Sequence, residues 1–314
     1  MKNNPRVSVI INNYNYGRFL REAINSALNQ TYSHTKVIVV DDGSTDDSRE
    51  IIASYRDKII SVLKKNGGQA SAFNAGFAVS QGDIICFLDA DDIFLPEKVA
   101  EIVDIFRCQQ DIGWCFHSLS LLDNNTKLLI KQSKNNSSRE CDFRVHIKRA
   151  KLPYLHTATS GLCFTRPLLQ RILPMPEDIV ITSDNYIKFA VAALSKGFFL
   201  NKELVLQRIH DNNAYTLRND KQQLNAKILI LTAYWLRVKF PSLSRFANGL
   251  FVSGIVIYWR SGGVAPEYRN VVNNYLSSVP LLERFKIKSR AVYRKTMLGF
   301  DSDSMDKSGR NRAD

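Results

Sequence analysis

Three carboxylates fall within four positions, Asp89, Asp91 and Asp92, directly after the apolar run Ile84 to Leu88. A short apolar run bounded by polar turn residues reads as a buried strand. The acids then stand at a strand's C-terminal end, where open α/β sheets bind ligands. Like charges this close repel, and a hard divalent cation shared with a substrate phosphate would relieve them, because Mg²⁺ and Mn²⁺ take oxygen ligands. The competing reading is an acidic helix start, with Asp92 capping a helix from about Leu95-Pro96-Glu97. A second pair, Asp41-Asp42, ends another apolar run and opens Gly43-Ser44-Thr45-Asp46. A carboxylate there accepts from a nucleobase N–H or a ribose hydroxyl, or simply shapes a turn and caps a helix. Gly67-Gly68 precede a helical pattern and allow backbone to approach a phosphate or sugar. The stretch lacks the G-K-[ST] ending of a P-loop and is not G-x-G-x-x-G.

The elements that must position these residues alternate. Strands are predicted at 6–11, 36–40, 59–64 and 84–88, with helices at 19–28, 46–55, 69–79 and 95–107 between and after them. Short loops between such elements mean βαβ units and a mainly parallel sheet. Further strands are predicted at 114–122, 157–165 and 204–209, a short helix at 168–172 and an amphipathic one at 184–196. Residues 123–140 are polar and read as a loop. Beyond about Asp220 the pattern turns helical and basic, at 224–238, 246–259 and 268–275, and 301–314 reads as a disordered tail.

The chain has 314 residues, 45% of them hydrophobic, and a net charge of +13. That balance suits anionic partners such as phosphorylated substrates or an acidic membrane surface. Nucleic-acid-binding signatures are absent, and no nucleic-acid partner is expected. The late basic stretch from Arg284 to Lys295, with Phe285 and Tyr293 interleaved, reads as a solvated helix face or a membrane-surface face. The five cysteines are scattered with no C-x-x-C pair, which argues against a disulfide framework or zinc site. Met1 to Pro5 lead straight into a strand pattern, so no secretory leader is expected. The apolar run Leu250 to Trp259 is too short to span a bilayer. These features predict a cytoplasmic protein, peripheral at the inner membrane face.

In order, Asn13-Tyr14-Asn15 after the first strand, Asp41-Asp42-Gly43-Ser44-Thr45-Asp46, Asn74-x-Gly76, Gly82-Asp83 and Asp89-x-Asp91-Asp92 resemble the family-2 glycosyltransferases of GT-A fold. The resemblance covers about residues 6–215. It implies an α/β GT-A domain over 1–219, a mainly parallel twisted sheet flanked by helices. Its nucleotide-binding half would be about 6–92 and its acceptor half 93–219, with a helical basic extension over 220–300. It implies an inverting, metal-dependent enzyme that moves one sugar from a nucleotide-diphosphate sugar to a hydroxyl. A UDP-sugar is the expected donor, and a surface polysaccharide or lipid-linked oligosaccharide the expected acceptor. By the same resemblance Asn13, Tyr14 and Asn15 line the nucleoside pocket, Asp41 contacts the base and Asp42 its surroundings. Gly68, Asn74, Ala90 and Arg208 belong to the donor site. Asp91 would hold Mg²⁺ or Mn²⁺ on the diphosphate, and Asp89 would contact the ribose or the metal.

The segment Ser160 to Arg166 matches the family's G-x-x-F/x-R-like strand, and Asp184 matches the acid that serves as general base. Ser183 or Asp184 as a plain helix cap is the competing reading, and Glu177-Asp178 are a rival acidic pair. Arg208 to Asn213 resemble the family's R-x-H-x-x-N segment, in which His210 would complete the metal shell or donate to the diphosphate. Two departures stand out. Asn12-Asn13 replace the usual Pro-Thr, and Phe73 stands where an Arg is common, which leaves Lys64, Lys65 or Arg208 to supply a cation. The processive signature Q-x-x-R-W is absent, so a single transfer is expected. Two alternatives remain at this level. One is nucleotidyl transfer, which would need a Gly-rich basic loop after the first strand that Asn12 to Gly17 lack. The other is a degenerate nucleotide- or glycan-binding module.

Overall fold

The computed structural model describes residues 4–126, 128–130, 137–153, 155, 157–211, 213, 220–264 and 266–308, except the side chains of 130, 267 and 297–308. The chain forms two compact units, one of residues 1–145 and 153–217, the other of residues 146–152 and 218–314.

In the first unit the strands are β1 (Val7–Asn13), β2 (Thr35–Asp41), β3 (Ile60–Leu63), β4 (Ile84–Asp89), β5 (Ile93–Phe94), β6 (Ile112–Asp123), β7 (Leu129–Ile130), β8 (Arg139–Cys141), β9 (Leu162–Thr165) and β10 (Lys196–Ile209). Helices α1 (Gly17–Leu28), α2 (Ser48–Ser54), α3 (Gln69–Val79), α4 (Lys98–Cys108), α6 (Arg166–Gln170) and α7 (Asp184–Leu194) alternate with them, and the short α5 (Arg144–Lys148) begins in this unit and ends in the second. The sheet runs β3-β2-β1-β4-β9-β6-β10-β5, with β7 on β6 and β8 on β10. Strands β3, β2, β1 and β4 are parallel, and β9 lies antiparallel between β4 and β6.

The register explains why chemistry gathers at one edge. Asn13 pairs with Asp41, and Asn12 with Asp89. The apolar runs before them are fully buried, which fixes the register, since a one-residue slip would turn every side chain to the opposite face. On α1 the residues Phe19, Leu20, Ala23, Ile24 and Ala27 form the buried face, at the spacing of one helical stripe. Helix α3 lies close on the sheet because Gly76 has no side chain. A Cβ there would meet Ile10 Cγ2 at 2.5 Å and Val40 Cγ2 at 3.0 Å.

Some expectations are corrected. Asp92 does not cap the next helix, which starts at Lys98 after Pro96. Residues 157–161 are not strand: Thr159–Gly161 form a 3-10 turn before β9. The Ser160 hydroxyl bonds away from its own segment there, a competition with regular pairing that short polar side chains often win. Strand β10 starts at Lys196 rather than Leu204, with irregular pairing to β6 around Glu203 that the sequence pattern hides. The stretch 123–140 contains β7 and β8, and its residues 127 and 131–136 lie outside the described residues. All five cysteines are free thiols.

The second unit contains α8 (Lys221–Lys239), α9 (Ser244–Arg260), α10 (Arg269–Ser277) and α11 (Leu281–Ser308). Its interior is built around α9, where Leu250, Phe251, Val252, Ile255, Val256 and Tyr258 are buried. The Phe251 and Tyr275 rings stack at 4.0 Å, and Tyr275 Oη donates to Asn248 Oδ1 at 2.6 Å. Of the expected tail, 301–308 continue α11 and 309–314 lie outside the described residues. Among the described residues no helix is long and apolar enough to cross a membrane.

Candidate active site

Asp89 closes β4, and Asp91 and Asp92 follow in a turn in which the Asp92 N–H donates to the Asp89 carbonyl at 3.1 Å. Oxygens of the three carboxylates lie within 4.8 Å of one another, yet the acids are held differently. Both oxygens of Asp92 are occupied: Ser160 Oγ donates to Oδ2 at 2.6 Å, and the Arg208 N–H to Oδ1 at 3.0 Å. Asp92 is thereby a buried structural acid that ties the 3-10 turn before β9, and β10, to its own turn. Asp89 Oδ1 accepts from Asn12 Nδ2 at 2.9 Å, and its N–H donates to Ser160 Oγ at 3.0 Å. Asp91 Oδ2 meets His210 Nε2 at 3.0 Å and Asn213 Nδ2 at 3.2 Å. Its Oδ1 accepts no hydrogen bond among the described residues.

His210 Nδ1 lies 3.1 Å from the Arg18 guanidinium. Arginine only donates, so Nδ1 accepts and Nε2 carries the proton that points at Asp91. In this arrangement the His210 ring stands directly against Asp91, as a partner beside a metal ligand does. Asn212 of the same segment lies outside the described residues. Arg208 is also buried behind the acids. It donates through Nε to the Asp91 carbonyl at 3.0 Å, through one terminal nitrogen to Asn124 at 3.2 Å and through the other to Glu22 at 2.6 Å.

Crowding shows in the electrostatics. Burial, and then the Asp91 charge, push Asp89 up to about 7. Burial, followed by Asp91 and Asp89, pushes Asp92 well above the usual carboxylate range. An all-oxygen set with one open carboxylate edge and a surplus of negative charge fits a hard divalent cation. The residues that would hold it are Asp91 and Asp89.

The second carboxylate pair lies at the end of β2, on the far side of β1 from β4. Asp41 is fully buried and accepts from Asn13 Nδ2 at 3.0 Å, the Ser44 N–H at 3.2 Å and Arg49 Nε at 2.8 Å. Burial pushes Asp41 up, but these hydrogen bonds outweigh it and hold the carboxyl below its ordinary value. Asp42 accepts from Lys64 Nζ at 2.6 Å and from the Gly67 and Gly68 N–H groups at 3.0 and 2.7 Å. It therefore fixes the glycine turn, and Lys64 is engaged there. Gly68 has φ +85°, and a Cβ on it would meet Val180 Cγ1 at 2.3 Å. Asn15 also takes a positive φ of 58°, its N–H donating to Ser44 Oγ and its Oδ1 accepting from the Thr45 N–H. Tyr14 is exposed beside them, Ala90 is buried, and its N–H donates to the Asn12 carbonyl at 3.2 Å.

Asp184 begins α7. Ser183 stands at the N-cap position, but its side chain makes no capping hydrogen bond, and its hydroxyl instead donates to Gln69 Oε1 at 2.9 Å. Asp184 is buried and pairs with Lys188 Nζ at 2.8 Å, one turn along the helix. Lys188 also donates to the Thr157 carbonyl at 3.1 Å. Asp184 lies close enough to Asp89 to raise its pKa, so the fold brings the acid of α7 to the β4 cluster.

Asn74 is engaged by the 175–177 segment. Its amide bonds the Met175 backbone in both directions at 2.8 Å and Glu177 at 3.1 Å. Phe73 is buried and stacks on Phe87 at 4.3 Å, so its position faces the core and not a phosphate. Residues that sequence reasoning left unread are Ser160 as a bridge, Gln69, Arg49, Arg18, Glu22 and Lys188. The partners of Ser160, Gln69, Arg18 and Glu22 are distant in sequence, and no local motif marks any of the six.

The profile of glycosyl transferase family 2 matches residues 8–162. The chain is 38% identical over 213 residues to an uncharacterized glycosyltransferase of Nostoc sp., covering 66% of each chain. It is 33% identical over 272 residues to an uncharacterized glycosyltransferase of Rickettsia prowazekii, covering 84% of this chain and 83% of that one. Among solved structures, S. aureus TarS 1–349 superposes with a TM-score of 0.63 at 17% identity, over 98% of this chain and 93% of that one. The longer TarS structure gives the same TM-score, and the match spans 54% of it. The mannosyltransferase of Pyrobaculum calidifontis in complex with GDP-Man and Mn²⁺ gives 0.51 at 18% identity, over 93% and 87%. The parallel β3-β2-β1-β4 half, the antiparallel β9 and the matched profile agree: the chain belongs to glycosyl transferase family 2, a glycosyltransferase of GT-A fold.

Proposed function

We propose that the protein is an inverting, divalent-cation-dependent glycosyltransferase that moves one sugar from a nucleotide-diphosphate sugar to a hydroxyl acceptor. The observation that carries this reading is the open Asp91 edge beside Asp89, with the Asp184 carboxylate in electrostatic reach. Asn13, Asn15, Asp41 and the turn held by Asp42 form the nucleoside end of the donor site, with Tyr14 at its rim. Asp89 and Asp91 would hold the cation, Mg²⁺ or Mn²⁺, which when bound would neutralise charge on the departing diphosphate. Asp184 takes the proton of the acceptor hydroxyl as that oxygen attacks the anomeric carbon from the face opposite the leaving group. Lys188 fixes the carboxylate by pairing with one oxygen, Oδ2, and leaves Oδ1 for the proton.

Structural neighbours have been solved with UDP, UDP-GlcNAc and GDP-Man, which supports a nucleotide sugar as donor, a UDP-sugar first. The acceptor proposed is a glycan of the cell envelope, surface polysaccharide or lipid-linked oligosaccharide, elongated at the cytoplasmic face of the membrane. Thermal unfolding with a panel of nucleotide diphosphates and nucleotide sugars, with and without Mn²⁺, tests the donor site. A ligand at about 100 times its dissociation constant adds roughly 2.7 kcal/mol. A gain for one nucleotide that needs the cation and vanishes in Asp91→Asn supports the proposal. No gain with any nucleotide refutes it.

A further inference from the structure

The apolar run Leu250 to Trp259 is spent inside the second unit, where seven of its residues are buried. Exposed apolar surface lies instead on α11. Leu281, Leu282, Phe285, Val292 and Tyr293 are 77%, 83%, 72%, 55% and 60% exposed. At 3.6 residues per turn these five fall within one arc of about 120°. Ser289 and Thr296 occupy the same arc, so no charge interrupts it. Lys286 and Arg290 border it on one side, and Lys288 and Lys295 on the other. The opposite face is the packed one: Ile287 and Ala291 are buried, and Glu283 is bound by Arg237 at 3.0 Å and Asn248 at 3.0 Å. The stretch from Leu281 to Thr296 thus carries six cations against a single acid, itself paired.

We propose that this face of α11 docks on an anionic lipid bilayer, with Leu281, Leu282, Phe285, Val292 and Tyr293 at the headgroup–acyl boundary and the flanking cations on lipid phosphates. A contiguous apolar stripe of this kind on a water-soluble helix marks an interaction site. An apolar arc edged by lysine and arginine is the pattern of a helix lying in the membrane interface. A second copy of the chain is the poorer occupant, because two such faces would bring only cations together along both borders. A membrane-held acceptor, as in the proposed function, gives the docking its use, but the binding itself does not depend on that reading.

The test is co-sedimentation of the full chain with vesicles of phosphatidylcholine containing about 30% phosphatidylglycerol, and with pure phosphatidylcholine, at ~0.1 M salt. The expected result is pelleting with the anionic vesicles alone. Partitioning should fall about tenfold or more in Leu282→Glu/Phe285→Glu and in Lys286→Glu/Arg290→Glu, with both melting temperatures unchanged. Three results would overturn the proposal: wild type left in the supernatant, pelleting equal in all variants, or a wild-type dimer that Leu282→Glu/Phe285→Glu converts to monomer. Donor binding in the thermal assay is read separately, so either proposal can fail alone.

Discussion

Asp89→Asn is expected to stabilise the cation-free protein. The folded structure lifts the Asp89 pKa from 3.8 to about 7, through burial and then repulsion from Asp91. At 1.36 kcal/mol per pKa unit, ionising Asp89 in the folded state costs up to about 4 kcal/mol. Asp89 is partly exposed and coupled to its neighbours, so about 1–2 kcal/mol is the working figure. The sign follows from proton binding. Between pH 4 and 7 the folded state holds a proton that the unfolded chain has released, so wild-type stability falls as pH rises through that window. An asparagine keeps the oxygen that accepts from Asn12 and removes the charge. In EDTA at pH 8 the variant should melt higher by roughly 2–8 °C, at about 2–4 °C per kcal/mol for a unit of this size. The difference should shrink toward zero near pH 4. Added Mn²⁺ should reverse the order, because the wild type gains a bound cation that the variant holds less well. Calorimetry across pH with and without Mn²⁺ measures all of this. Equal melting curves in EDTA, or a variant less stable at pH 8, would refute the electrostatic account of the cluster.

Three further outcomes are expected. Asp184→Asn should lower kcat about 10²–10⁴-fold with donor affinity nearly unchanged, since a general base contributes on that order; a loss confined to KM would move Asp184 to a binding role. Ser160→Ala removes the hydroxyl between the Asp89 N–H and Asp92 Oδ2. It should cost about 1–3 kcal/mol in denaturant unfolding and weaken Mn²⁺ binding roughly 10–100-fold by calorimetric titration. Gly76→Ala pushes a methyl into Ile10 and Val40 and should destabilise by about 1–3 kcal/mol, read as a lower urea midpoint with an unchanged slope.

Much of the first unit is legible because its signals are local. The apolar runs Val7 to Ile11, Val37 to Val40 and Ile84 to Leu88 can only be buried strands, and the polar residues ending them mark the ligand edge. Helix α3 is read at its observed bounds, 69–79, since Gly68 and Ser80 bracket it. Legibility fails where a partner comes from far along the chain. Asp92 reads as a metal-cluster acid or a helix cap and proves to be the acceptor of Ser160 and Arg208. Arg208 reads as a cation for the diphosphate and proves to be spent on the Asp91 carbonyl, Asn124 and Glu22. The family's arginine position holds Phe73 because here that position faces Phe87.

The sequence by itself determined the alternation of strands and helices, the carboxylates at the strand ends, and the family to which their order belongs. These follow from short-range periodicity and from residue types that have few other uses together. Only the tertiary structure decided which oxygen of Asp91 stays open, which proton His210 carries, and that Lys188 holds Asp184. It also decided which apolar stretch of the basic helices is buried and which meets solvent. Those properties depend on distances between residues remote in sequence, and burial is a property of the packed chain, so no local pattern encodes them.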